Sequence, residues 1–328
     1  AGVHLAQLAL DGVDLVVRNR ARRHLLRLDA TPPPELGERF SLRGDFAQPF
    51  TLLGDDHWRA WSGTFYAEFG RVDLQRLRQH VPLAEAPALR VHQGQGALRL
   101  WADLQRGQLH TLTVDTALEQ VRLQLGPRLP VLDVPALDGR VQARWLPQRW
   151  EVQADDLRLR TAEGGSWSAG RLSLAHNLPR RGVEADSELN AERIALDAVR
   201  ELAHHLPLPA PLRAELQAAR PRGQLGNLRL QWSGTPWASE QLPARWRAQG
   251  QIQDLSVAAG PAPATEGALG RPGVDKASVR FDIGPAQGQL QIGIARGALS
   301  WPGLFEQPRV ELDQLQAEAQ WRREGEGA

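Results

Sequence analysis

Five short clusters in this 328-residue chain contain the residue types that metal, acid–base or phosphate chemistry uses. Glu201-x-x-His204-His205 puts a carboxylate and an imidazole on one face of a helix, which is one half of a carboxylate metal site. The partner residues such a site needs on other helices are missing, and histidines near a helix C-terminus are favourable for the helix alone. Asp55-Asp56-His57 and Asp155-Asp156 read as solvated turn residues rather than as a catalytic pair. Gly94-Gln95-Gly96 and Gly164-Gly165 have loop glycines, but no helix follows whose N-terminus could receive a phosphate. No nucleophile elbow, P-loop or zinc spacing occurs in the chain. The residues therefore predict no enzyme, no metal and no cofactor.

Composition narrows the classes further. Thirty-nine basic and 38 acidic residues leave a net charge of +1, so there is no basic footprint and no nucleic-acid partner is expected. The basic residues are a single lysine, Lys276, and otherwise arginine, which with abundant Ala, Gly, Leu and Pro indicates a GC-rich genome. No cysteine is present, so there are no disulfides. No stretch approaches the ~20 apolar residues of a membrane span. With no methionine and no signal-peptide pattern at Ala1, the chain reads as a segment of something longer.

What must position any site is a set of strands. Apolar and polar residues alternate at Leu98–Leu104, Val141–Trp145, Leu172 and Leu174, Leu228–Trp232, Trp246–Ile252, Val279–Ile283, Leu290–Ile294 and Leu315–Trp321. Period two means one apolar and one wet face per strand. Helices are expected only over Asp73–His80, Leu196–His205 and Pro211–Ala219, with loops at Thr31–Pro34, Glu163–Gly165 and Gly260–Gly273. The pattern is also written twice. RVDLQRLRQHVPL from Arg71 answers RIALDAVRELAHHLPL from Arg193, and Leu98–Leu100 answers Leu228–Leu230. The offset between copies grows along the chain and never shrinks, so the second copy differs by insertions in its connections. The repeat predicts residues 1–70 as the closing half of a preceding unit, 71–192 as one unit and 193–328 as the next, with the first two helices in equivalent places.

Two or three short helices are too few to cover the apolar faces of at least a dozen strands. The sheet must close on itself or leave that face to something that is not protein. Tandem long repeats and sparse helices favour a mainly β fold, a long curved antiparallel groove. Its expected apolar lining is Leu98, Leu100, Leu112, Val114, Val141, Leu172, Leu174, Leu228, Leu230, Ile252, Val279, Phe281, Leu290, Ile292 and Ile294, forming one continuous surface. Arg99, Arg140, Arg229 and Arg280 fall on the opposite, wet face. The eleven tryptophans divide between strand packing and the groove rim, where an amphipathic ring suits a lipid boundary.

The passage ELNAERIALDAVRELAHHLPLPAPLRAELQAARPRGQLGNLRLQWSG, followed by RPGVDKASVRFD and GQLQIGIARGALSWPGLFEQPRVELDQLQAEAQWR, resembles the YhdP family of AsmA-like, TamB-related envelope proteins. The similarity runs over nearly the whole chain. It implies a periplasmic β-groove held to the inner membrane by an anchor outside this sequence. Its ligand would be the acyl chains of phospholipid on their way to the outer membrane, where it would meet a partner. The other reading the residues leave open is an envelope assembly factor that docks partner β-strands on open sheet edges.

Overall fold

Successive side chains of a strand point to opposite faces, so an alternating sequence that folds as a sheet sorts itself into two surfaces. The computed structural model describes residues 8–49, 60–78, 90–126, 128–162, 165–168, 170–235, 243–261, 269–304, 307 and 309–323, and among them are sixteen strands and three helices. Packing divides the chain into two units, Ala1–Ser166 and Trp167–Ala328.

The first unit contains β1 (Asp11–Arg20), β2 (Arg23–Thr31), β3 (Phe40–Ala47), β4 (Ser62–Asp73), α1 (Leu74–Leu77), β5 (Arg90–Gln105), β6 (Gln108–Gln124), β7 (Leu132–Leu146) and β8 (Arg149–Arg160). Each strand pairs antiparallel with the next in the chain, an up-and-down meander. A three-residue strand, β9 (Ser166–Ser168), lies at the division. The second unit repeats the meander with β10 (Leu172–Asn177), β11 (Asp186–Ala195), α2 (Leu196–Leu202), α3 (Ala210–Ala219), β12 (Arg222–Ser233), β13 (Trp246–Val257), β14 (Gly273–Ile283), β15 (Gln287–Ser300) and β16 (Val310–Arg322). The fold is thus mainly β and antiparallel with three short helices, and it does not close: β1 and β16 each have a strand neighbour on one side only.

An up-and-down order gives each unit two rims. At one, the hairpin rim, β1–β2, β5–β6, β7–β8 and β14–β15 turn back tightly. The β5–β6 turn Arg106-Gly107 has φ of 52° and 72°, the left-handed pair that matches strand twist. At the other, the helix rim, β4 runs into α1 and β11 into α2. The Asp73 carboxylate caps α1 by accepting from the Arg76 N–H at 3.1 Å. α3 has a proline in its first turn, and ends at Arg220 in the left-handed conformation before the buried Pro221. α1 and α2 are shorter than the sequence suggests: α2 gives way after Leu202 to turns, with the His205 N–H bonding to the Leu202 carbonyl at 2.8 Å, while positions 79 and 80 lie outside the described residues. So do Asp55-Asp56-His57, Glu163-Gly164 and residues 262–268.

Near the helix rim the alternation slips. Gln120, Asp156, Asn227, Asp254, Lys276 and Arg296 have positive φ between 50° and 56°. The neighbouring registers shift at most of these positions, as at Gly226/Arg229 and Ile252/Leu255. A bulge inserts one residue and resets which parity points inward, so Ile252 and Leu255 share a face although three apart. This corrects the reading of Asp155-Asp156 as a turn: both lie inside β8, where Asp156 supplies the bulge, because Asp tolerates the left-handed region better than most residues.

Gly96, at φ +144°, sits where β5 passes β6, and a Cβ there would meet the Ala117 carbonyl oxygen at 2.2 Å. Gly96→Ala should lower stability by about 1–3 kcal/mol through backbone strain. Gly293→Ala, whose Cβ meets nothing within 4 Å, should melt as the parent does. Thermal unfolding of the two variants checks this.

Candidate functional site

The registers show which side chains share a face. In the first unit one rung crosses the sheet through Leu28, Leu42, Ala67, Leu100, Val114, Val141 and Ala154. The next rung toward the hairpin rim runs through Leu26, Gly44, Phe65, Ala102, Leu112, Ala143 and Val152, and the next toward the helix rim includes Phe40, Phe69 and Leu98. In the second unit Leu174, Leu189, Leu230, Ala248 and Ile283 form one rung, and Leu172, Ala191 and Leu228 another. Ile252, Val279 and Ile292 share a third, Phe281 pairs with Leu290, and Ile294 with Ala277. All fifteen expected lining positions therefore fall on the apolar face of their own unit. Leu28, Leu42, Phe65 and Phe69 join them, positions the sequence reading did not single out although Phe65-x-Ala67-x-Phe69 carries the same period of two.

Cover is uneven along this face. Toward the helix rim it is closed: Leu118, Val121, Leu123, Leu132 and Val134 are buried, and so is Leu74 of α1, packed on the small Gly94 beside Val121. In the second unit Leu196, Ala198 and Leu202 of α2 are buried, as are Ala277, Val279, Ile294 and Ala298. Val279 and Ile294 are thus protein core rather than open lining. The remaining thirteen expected positions are only half-buried. The chain leaves 21461 Å² accessible. A compact monomer of 36.2 kDa would leave about 13,000 Å², and two compact bodies of half that mass about 16,000 Å². An area above both agrees with the half-buried state of the lining residues themselves.

The opposite face carries a charge ladder. Asp29, Ser41, Glu68, Arg99, Asp115, Arg140 and Asp155 stand in one rung. Arg140 grips Asp115 with two hydrogen bonds, one of 2.8 Å, and Arg99 reaches Glu68 at 3.1 Å. Tyr66 packs against Trp101 in a tilted arrangement with centroids 5.4 Å apart, and the Arg140 guanidinium lies 5.8 Å from the Trp101 ring. In the second unit Arg247 binds Asp282 through two bonds of 2.8 and 2.6 Å, and Gln249 adds a third at 2.9 Å. Arg99, Arg140, Arg229 and Arg280 are all exposed on this side. Alternating signs opposite one another hold the register and leave this face well solvated.

Polar groups on the apolar side are few. His176 and Ser187 oppose each other across β10 and β11, with His176 Nδ1 2.9 Å from the Ser187 Oγ, which donates to the Gly234 carbonyl at 2.9 Å. Ser187 is only 1% exposed and its proton is spent on a backbone oxygen, so the pair seals a strand end rather than attacking a substrate. Glu201 and His204 are exposed at the end of α2. Among the described residues no group of three or more His, Asp or Glu is placed to hold a metal ion.

The described strands thus form an open antiparallel sheet with one solvated face and one half-covered apolar face. The family described as "YhdP protein" matches residues 3–328. The chain belongs to the YhdP family. No curated protein and no solved structure matches it.

The ladder sets an acid dependence. The Arg247 hydrogen bonds hold the Asp282 carboxyl down at about 2, and Asp115 is likewise lowered, first by Arg140. A depressed folded value means these contacts stabilise fully above the ordinary aspartate range near 4 and are lost as pH falls toward the folded value. Melting temperature should therefore fall between about pH 4 and pH 2. Asp282→Asn should melt lower at neutral pH and show a shallower acid decline, checked by melting curves at several pH values.

Proposed function

We propose that the apolar face of each unit holds the acyl chains of phospholipid, and that the protein conducts lipid between the inner and outer membranes without catalysing a reaction. The observation that carries this reading is the half-covered face itself. A strip of Leu, Val and Phe at this exposure is an aggregation hazard in water unless an apolar ligand normally lies on it. Membership of the YhdP family supports the same reading. Each acyl methylene moved out of water gains ~0.8 kcal/mol, so a two-chain lipid does not cross an aqueous gap unaided. Along a dry strip the chains stay as well shielded as in a bilayer, net transfer costs little, and the lipid can slide. The setting is the periplasm, with an inner-membrane anchor outside this sequence and an outer-membrane partner at the far end.

One observation favours a second reading. Every residue of β1 is exposed, including Val13 (49%), Leu15 (59%) and Val17 (56%), so its free edge can pair with another strand. An assembly factor would use that edge, and crosslinks concentrated on β1 with no lipid on the apolar face would favour it.

Leu230→Glu discriminates between a lipid strip and ordinary core. Leu230 lies in the open part of its face, so a glutamate there keeps its hydration and the fold melts normally. Acyl chains, however, meet a barrier of several kcal/mol at that point. The expected outcome is near-parental melting with lipid binding lost. Collapse of melting, by a large part of the ~5–15 kcal/mol a domain typically has, would make Leu230 closed core. Normal melting with undiminished lipid binding would defeat the strip at that position.

A further inference from the structure

The two rims of the apolar face differ in chemistry. Six of the tryptophans gather at the hairpin rim on the apolar face: Trp61, Trp145 and Trp150 in the first unit, Trp232, Trp246 and Trp321 in the second. Trp145 faces Trp150 across the β7–β8 hairpin, Trp232 faces Trp246 across β12 and β13, and Trp321 ends the rung that begins at Leu174. Trp61 stacks flat on His24 at 4.0 Å, one residue before β4 begins. Two of these rings are open to solvent: Trp145 is 41% and Trp321 43% exposed, and Leu146 beside the first is 40% exposed. Exposed arginines stand at the same level on the opposite, wet face, Arg144 next to Trp145 and Arg322 next to Trp321. Arg106 adds a third in the β5–β6 turn. The helix rim is the reverse, a closed apolar end where Leu118, Val121 and Val134 are buried and α1 packs over them.

We infer that each lipid lies along the strands in one direction, with its phosphate and glycerol level at the hairpin rim and its chain ends toward the helix rim. This rests on the lipid-strip reading and adds a polarity to it. An indole ring prefers a boundary where one side is apolar and its N–H meets polar groups, and a guanidinium at the same rim, such as that of Arg106 in its turn, offers a fork of donors to a phosphate. The lengths agree. One leaflet's hydrocarbon is about 15 Å deep, half of a core of about 30 Å, and about 3.4 Å per strand residue spends that distance between Trp145 and Val141. A chain anchored at Trp145 therefore covers the half-buried stretch and stops short of Leu137, where the protein begins to close over its own core.

Photolabelling of the unaltered chain tests the direction. Two phosphatidylethanolamine probes are used, one with a diazirine on the head-group nitrogen and one with a diazirine at the chain terminus, each incorporated in phosphatidylglycerol vesicles, and labelled peptides are mapped by mass spectrometry. The head-group probe should label peptides around Trp145–Trp150, Trp232–Trp246 and Trp321, and the chain-end probe those around Gly139–Val141 and Val279–Phe281. Trp145→Ala with Trp150→Ala should remove head-group labelling from that hairpin and leave chain-end labelling in place. Reversed labelling, or the same distribution for both probes on the apolar face, overturns the inference while leaving the lipid strip standing. Labelling nowhere on the apolar face overturns both.

Discussion

An antiparallel sheet sorts apolar side chains to one face whether or not anything covers it, and here the cover is in short supply. α1 has four residues, α2 seven and α3 ten, and the first two close only the helix rim. Everything else about the chain accommodates the uncovered strip. The strands are long, reaching 17 residues in β6, because a meander that cannot stack on a second layer draws its stability from ladder hydrogen bonds and same-face neighbours. The hairpin turns are tight where the chain can afford no bulk. The half-buried state of Leu98, Leu100, Val141, Leu228 and Leu230 is the direct expression of that missing layer.

The wet face is what makes such a strip tolerable. Arg–carboxylate pairs at opposite positions, Arg140 with Asp115 and Arg247 with Asp282, fix register from outside, so the apolar face need not be packed to be aligned. Individually such exposed pairs contribute little, but they run from strand to strand, and a one-residue slip would break a rung and turn the apolar side outward. The bulges near the helix rim complete the device. By reversing parity at Asn227 and Asp254 they keep Leu225, Leu228, Ile252 and Leu255 on one side while bending the strands toward the helices that cap them.

Much of this was legible in the sequence because period two is a local signal: Leu98-Arg99-Leu100 and Val279-Arg280-Phe281 state their own faces. The few helices were legible for the same reason, from capping and proline positions, although α2 ends earlier than its pattern because turns after Leu202 satisfy the last carbonyls. Bulges were not legible. An aspartate such as Asp156 signals a turn in a hairpin and a bulge in a strand equally well, and only the partner strand decides. Nor could the sequence order the tryptophans, since Trp232 and Trp321 lie far apart in the chain and share a rim of their unit only through an even number of strand reversals. The closure of Val279 and Ile294 into core likewise depends on cover from distant residues, Leu312 and Leu315 among them.

The central claim is that the half-covered face belongs to lipid. The most direct measurement is mass spectrometry of an organic extract of the protein, purified without added lipid from the cells that make it and compared with a closed β-sandwich taken through the same steps. Phospholipid in the extract at or above one molecule per chain, absent from the control, is the result this account predicts. An extract no richer in phospholipid than the control would contradict it.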